Sequence, residues 1–303
     1  MIFASLHNLY IILDNMLTMK TALLMGVLTA LLMITGYIVS MVFGLDPYLV
    51  VTVAFVLAMS LNFISFWYSD KIVLKMYKAE MVTENIAPEL YSMISQLSMK
   101  AGLPMPKIAV INNETPNAFA TGRNPENAVV AVTSGALSLL QRDELEAVLA
   151  HELGHIKNRD MFISTMAAVI AGTIGYLGFL GRIMLWTRGS RRDSGYTQLI
   201  GALLLAVFIP LAAMMIRLAV SRSREYEADR AGATISGNPH ALADALIRIE
   251  QSVKKTPMKQ GSPATGHLFI INPFKAESLM HLLSTHPSTE SRVKKLRAMN
   301  PTM

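Results

Sequence analysis

Two uncharged runs of about twenty residues limit this chain more than any other feature. Residues 21–43, flanked by Lys20 and Asp46, form the first, and residues 49–68 form the second. The second ends in the pair Trp67-Tyr68 just before Asp70 and Lys71. A hydrocarbon layer about 30 Å thick is crossed by about 20 apolar helical residues, and aromatic pairs favour its interface. The two runs therefore read as a transmembrane hairpin turning at Asp46-Pro47. A second pair is expected at residues 161–181 and 198–216. Gly172, Gly175, Gly178 and Gly181 give one face of the former close helix contact, and Pro210 kinks the latter.

Composition agrees with this reading. The 303 residues are 52% hydrophobic and only 16% charged, where soluble domains carry about 25% charged residues. A net charge of +6 comes without a basic stripe interleaved with aromatics, so nucleic acid is excluded as a partner. The cations lie beside apolar runs, where anionic lipid of a bilayer accounts for them. Four spans put both chain ends on one side. That side carries Lys20, Lys71, Lys75, Lys78, Lys157, Arg159, Arg217, Arg222 and Arg224, against Arg182, Arg188, Arg191 and Arg192 opposite. The balance places residues 69–160 and 217–303 in the cytoplasm. Residues 1–18 are too short and too interrupted to span, and read as an N-terminal extension outside this plan.

The polar remainder reads as an α+β domain. Leu90, Ile94, Leu97 and Ala101 recur at helical spacing over residues 88–101. Residues 106–111 and 128–133 are β-rich, and residues 142–158, 216–234, 240–255 and 287–299 read as helices, with a Gly/Ser/Pro loop at 259–266.

Within the helix at 142–158 stands His151-Glu152-Leu153-Gly154-His155. Four helical residues return to one face, so both imidazoles can bind one metal ion. Glu152, about 100° around, can address water without ligating. The chain has no cysteine, so a third ligand has to be His, Asp or Glu. The third His of the longer HExxHxxGxxH pattern is missing, which directs attention to Glu225, Glu227 and Asp229. Glu225 and Asp229 share a helix face, so Glu225 can ligate while Asp229 supports a ligand His. Equally, these acids can pair with Arg222, Arg224 and Arg230; residue chemistry leaves both readings open.

Four stretches resemble the HtpX family of bacterial membrane zinc metalloproteases, relatives of the CAAX prenyl endopeptidases. They are Thr115-Pro-Asn-Ala-Phe-Ala-Thr-Gly122, Ala147-Val-Leu-Ala-His-Glu-Leu-Gly-His-Ile156, Ser221-Arg-Ser-Arg-Glu-Tyr-Glu-Ala-Asp229 and Thr285-His-Pro-Ser-Thr-Glu-Ser-Arg292. The resemblance runs over residues 19–299. It implies a mainly α membrane protein, with four transmembrane helices in two hairpins plus a zincin-like α+β metalloprotease domain. The division expected is hairpins at 19–68 and 161–216 and catalytic halves at 69–160 and 217–303. It implies one zinc per chain on His151, His155 and Glu225, with Glu152 as base and Asp229 as supporting acid. It further implies His286 at the developing oxyanion and Asn117, Ala118 and Phe119 as a strand that pairs with substrate backbone. The activity implied is cleavage of misfolded or damaged membrane proteins as quality control in the bacterial inner membrane. The alternatives are a dedicated processing protease of the prenyl-endopeptidase type and a non-catalytic membrane scaffold.

Overall fold

The computed structural model describes residues 19, 22–23, 25–41, 44–171, 202, 222–274 and 287–300. Most of the second apolar pair lies outside these residues, as do the N-terminal extension and His286. The described chain falls into two compact units, one drawn from Met1–Tyr68 and Ile170–Ala219, the other from Ser69–Val169 and Val220–Met303.

In the first unit, helix α1 (Met25–Met41) packs on the first five turns of α2 (Pro47–Met76). The contact is made by small and polar groups. A Cβ on Gly36 would meet Ala54 Cβ at 2.9 Å, so these helices are as close as side chains allow. Asn62 Nδ2 donates to Met25 O at 3.2 Å and Thr29 Oγ1 at 2.9 Å. The apolar excess points outward instead, with Leu49, Val53, Val56, Phe63 and Trp67 all exposed. An apolar exterior over a polar-stitched interior is the arrangement that lipid, not water, stabilises. Among the described residues α2 is the one helix long and apolar enough to cross a membrane. It is longer than the apolar run predicts, continuing two turns past Tyr68 because Val73, Leu74 and nearby Tyr77 are themselves buried.

The second unit is built on a four-stranded sheet in the order β1-β2-β4-β3, comprising β1 (Glu80–Val82), β2 (Lys107–Ile111), β3 (Ala118–Thr121) and β4 (Val129–Thr133). Strands β2 and β4 run parallel, while β1 and β3 are antiparallel edges. Ile108, Val130, Val132, Ala118 and Ala120 face one core. Ala109, Ala131, Phe119 and Ile111 face another, with Tyr77 and Phe269. Burial on both faces is why Ile108-Ala-Val-Ile111 and Val129-Val-Ala-Val132 read as unbroken apolar runs instead of alternating.

Against the first face lie α3 (Pro88–Ala101), α4 (Ser134–Leu139) and α5 (Arg142–Lys157). The Glu144 carboxylate caps α5 by accepting the Gln141 backbone N–H at 2.9 Å. Helix α6 (Met161–Ala171) follows after one turn. Helices α7 (Arg222–Ser236), α8 (Pro239–Lys255) and α9 (Thr289–Arg297) complete the layer.

Candidate metal centre

The site is assembled where α5 and α7 cross. His151 and His155 stand one turn apart on α5, with Nε2 atoms 3.2 Å from each other. The crossing is close because both helices present glycine. A Cβ on Gly232 would sit 2.8 Å from the backbone N and Cα of His151, and one on Gly154 3.0 Å from Ala228 O. That approach brings Glu225 Oε1 to 3.8 Å from His155 Nε2. One ligand atom from each of His151, His155 and Glu225 lies within 4.8 Å of the others.

Each imidazole is held from behind by an acid. Asp229 Oδ1 is 3.0 Å from His151 Nδ1, and Asp160 Oδ1 is 3.0 Å from His155 Nδ1. Asp160 reaches back because Arg159 takes a left-handed φ of 57°, reversing the chain directly after α5. With Nδ1 on the carboxylate side, the neutral form of each ring turns its Nε2 lone pair toward the other histidine. Tetrahedral ligands at 2.0–2.1 Å from zinc stand about 3.3 Å apart, so the donor set and spacing fit such an ion.

Electrostatics divide the residues by role. Burial above all pushes the Glu152 carboxyl up to about 7. Glu225 adds to this, while His155, the hydrogen bond from the Ala120 backbone and Arg292 oppose it. Glu152 Oε1 is buried and meets no hydrogen-bond partner among the described residues. Burial would raise Asp229 too, yet Arg292 and His151 hold it down at about 2. Burial lowers His151, helped by the Arg292 charge and opposed by Asp229. At His155 burial is outweighed by Asp160, Glu225 and Glu152, which raise it.

Comparison with known proteins decides the family. Residues 84–300 match peptidase family M48. A protease HtpX homolog of Thermococcus sibiricus is 52% identical over 94% of this chain and 97% of its own. One from Persephonella marina is 46% identical over 93% of this chain and 97% of its own. The chain belongs to peptidase family M48. It is a membrane metalloendopeptidase of the HtpX type, as the resemblance implied. The crystal structure of S. mikatae Ste24p superposes with a TM-score of 0.46 at 19% identity, covering 94% of this chain and 67% of that one.

The structure brings His151, Glu152, His155, Glu225 and Asp229 together, while Glu227 is exposed on the far side of α7. Asn117, Ala118 and Phe119 are fully buried. Asn117 Nδ2 donates to Ile271 O at 2.7 Å. Ala118 O accepts from Ile270 N at 3.2 Å. Phe119 turns to the opposite sheet face, its ring 5.1 Å from that of Phe269. Here the outer edge of β3 carries the chain's own segment 268–271, and it is Ala120 that faces Glu152 and His155. The pocket over these residues, walled by His267 to Ile270, has about 20 Å³ of free space, room for one or two waters.

Asp160 and Arg292 were not singled out in the sequence. Arg292 shares a helical face with Leu296, and both are buried. Its place at the end of the Thr285–Arg292 stretch and on the apolar side of a basic helix were the signals that pointed to it.

Proposed function

We propose that this M48 peptidase uses a single zinc ion held by His151, His155 and Glu225 to cleave unfolded or damaged membrane proteins on the cytoplasmic side of a bacterial-type inner membrane. The observation that carries the reading is the convergence of two Nε2 atoms and the Glu225 carboxylate, with an acid about 3.0 Å behind each imidazole. A zinc ion bound there lowers the pKa of a water toward about 7 and polarises a carbonyl.

Glu152 supplies the proton chemistry. Its raised pKa suits a group that takes a proton from water and returns it to the leaving amine near neutrality. Glu152 lines the pocket, and its Oε1 meets no hydrogen-bond partner among the described residues. Asp229 and Asp160 hold the imidazoles in the Nδ1–H tautomer. His286 is assigned to the developing oxyanion by the His286-Pro287 resemblance, since one donor aimed at that charge contributes strongly to rate. Substrate backbone is assigned to the β3 edge at Asn117–Phe119, next to Ala120. An extended peptide enters there by displacing segment 268–271, and main-chain pairing tolerates many sequences. The two-hairpin plan, with 69–160 and 217–303 as catalytic halves, follows the apolar runs, and its cytoplasmic orientation follows the lysine and arginine balance.

The test is hydrolysis of casein by the full chain in detergent, with and without chelator. Glu152→Gln should keep stoichiometric zinc and lose at least about 10²-fold in rate. Chelator-insensitive cleavage, or a Glu152→Gln variant as active as the parent, would overturn the proposal.

A further inference from the structure

Arg292 is among the largest fully buried side chains in the protein, at 1% exposure. A guanidinium is strongly hydrated in water, and burying it is costly unless its donors are used. Arg292 uses them in three directions. Nε donates to Asp229 Oδ2 at 2.9 Å and Nη2 to Asp229 Oδ1 at 2.6 Å, a two-pronged fork on one carboxylate. Nη1 donates to Ile270 O at 2.8 Å and lies 3.6 Å from Glu225 Oε2. Nη2 also stands 3.4 Å from His151 Nε2.

We propose that Arg292 is a positioning residue of the metal site, fixing the plane of the Asp229 carboxylate that orients His151 and tying it to the Ile270 backbone beside strand β3. The inference rests on the zinc reading given above. Asp229 Oδ1 is shared, accepting from Arg292 Nη2 and facing His151 Nδ1 at 3.0 Å. A carboxylate held by one contact can rotate about its terminal bond, and the imidazole would follow it. Two parallel bonds from a planar fork remove that rotation, which a lysine ammonium cannot do. The contact to Ile270 joins the same guanidinium to the segment lying along β3, so α9 braces the metal side and the strand edge together.

Two other roles give different signs. A purely structural ion pair between α7 and α9 would change folding but leave the zinc affinity of the folded protein unmoved. A direct charge effect would do the reverse of positioning: removing a cation beside a dication site tightens binding. Positioning requires affinity to fall.

The experiment measures zinc affinity of the full chain in detergent by competition with a chromophoric chelator. The proteins are the parent, Arg292→Gln, Arg292→Lys, Asp229→Asn and the double variant Asp229→Asn/Arg292→Gln. Arg292→Gln should weaken zinc about 10–100-fold, the range for losing a group that supports a ligand. Arg292→Lys should recover only part of that loss. The double variant should be no weaker than the worse single, because both changes break one contact. At saturating zinc, kcat on casein should fall in Arg292→Lys while KM stays put. Unchanged or tighter zinc in the Arg292 variants, or losses that multiply in the double, would overturn the inference alone. A parent that binds no zinc would overturn it together with the zinc reading. Should Arg292→Gln fail to fold, Arg292→Lys against Asp229→Asn decides the question: zinc as tight in Arg292→Lys as in the parent, beside a weakened Asp229→Asn, would overturn it.

Discussion

His151 and His155 occupy equivalent places in one motif, yet their surroundings differ in almost every respect. His151 is fully buried and backed by Asp229, which is itself held by Arg292 from a helix 63 residues further on. His155 has an 18% exposed side chain and is backed by Asp160, five residues away on the same stretch of chain. One support is long-range, charge-balanced and dry. The other is local, made by a left-handed turn at Arg159, and partly wet. A helical spacing sets where two imidazoles point, while what holds them there is settled separately for each.

The contrast can be broken most severely by removing the two proposed ligands themselves. His151→Ala and His155→Ala should each reduce bound zinc in the purified protein from near one per chain to near none. Full zinc in either variant would show that the pair does not work as a unit. The next effect separates the two supports. Asp229→Asn should weaken zinc about 10–100-fold, and Asp160→Asn several-fold less, because water can stand in at the more exposed ring. Equal losses would erase the distinction drawn here.

Stability of the metal-free chain sharpens the same comparison. Asp229→Asn leaves the buried Arg292 charge with only its longer contact to Glu225, a change that costs about 3 kcal/mol. Asp160→Asn takes the carboxylate from His155, whose ring is partly exposed and can still be met by water. It should cost less, about 1.5 kcal/mol, the low end for a hydrogen bond to a charged group. Melting in detergent with chelator present would read the gap. The smallest effect belongs to Glu227→Gln, which should leave zinc and casein hydrolysis unchanged, since an exposed charge contributes little. An inactive Glu227→Gln beside a zinc-replete Glu225→Gln would mean that the wrong face of α7 meets the metal.

How far the sequence disclosed this site follows the same division. His151, Glu152 and His155 were legible because their relation is internal to one helix. Glu225 and Asp229 were legible as a face of α7, but whether that face met the histidines or nearby arginines depended on a crossing that no local pattern encodes. Asp160 escaped notice because its return to His155 depends on a non-glycine residue with positive φ. Arg292 closes one of the stretches that carry the resemblance and lies on the apolar side of α9, but its role escaped because its partners are distant. Among the strands, β2 and β4 announced themselves as apolar runs, whereas β1 is three residues long, too short to display a period. Asn117–Phe119 were expected at the substrate edge; that the Ala118 carbonyl there accepts from Ile270 N and Asn117 Nδ2 donates to Ile271 O, over 150 positions away, is nothing a local pattern encodes.

Gly232 carries a consequence of a genetic kind. No reacting group belongs to it, yet a methyl there would press on the backbone of His151 from 2.8 Å, and packed helices yield to such crowding by moving apart. Glycine is one nucleotide from alanine, serine, valine and aspartate, so a single base change at this position can part Glu225 from the histidines. Loss-of-function alleles of this peptidase should therefore collect at a residue that takes no part in the chemistry, and a survey confined to ligands and acids would miss them.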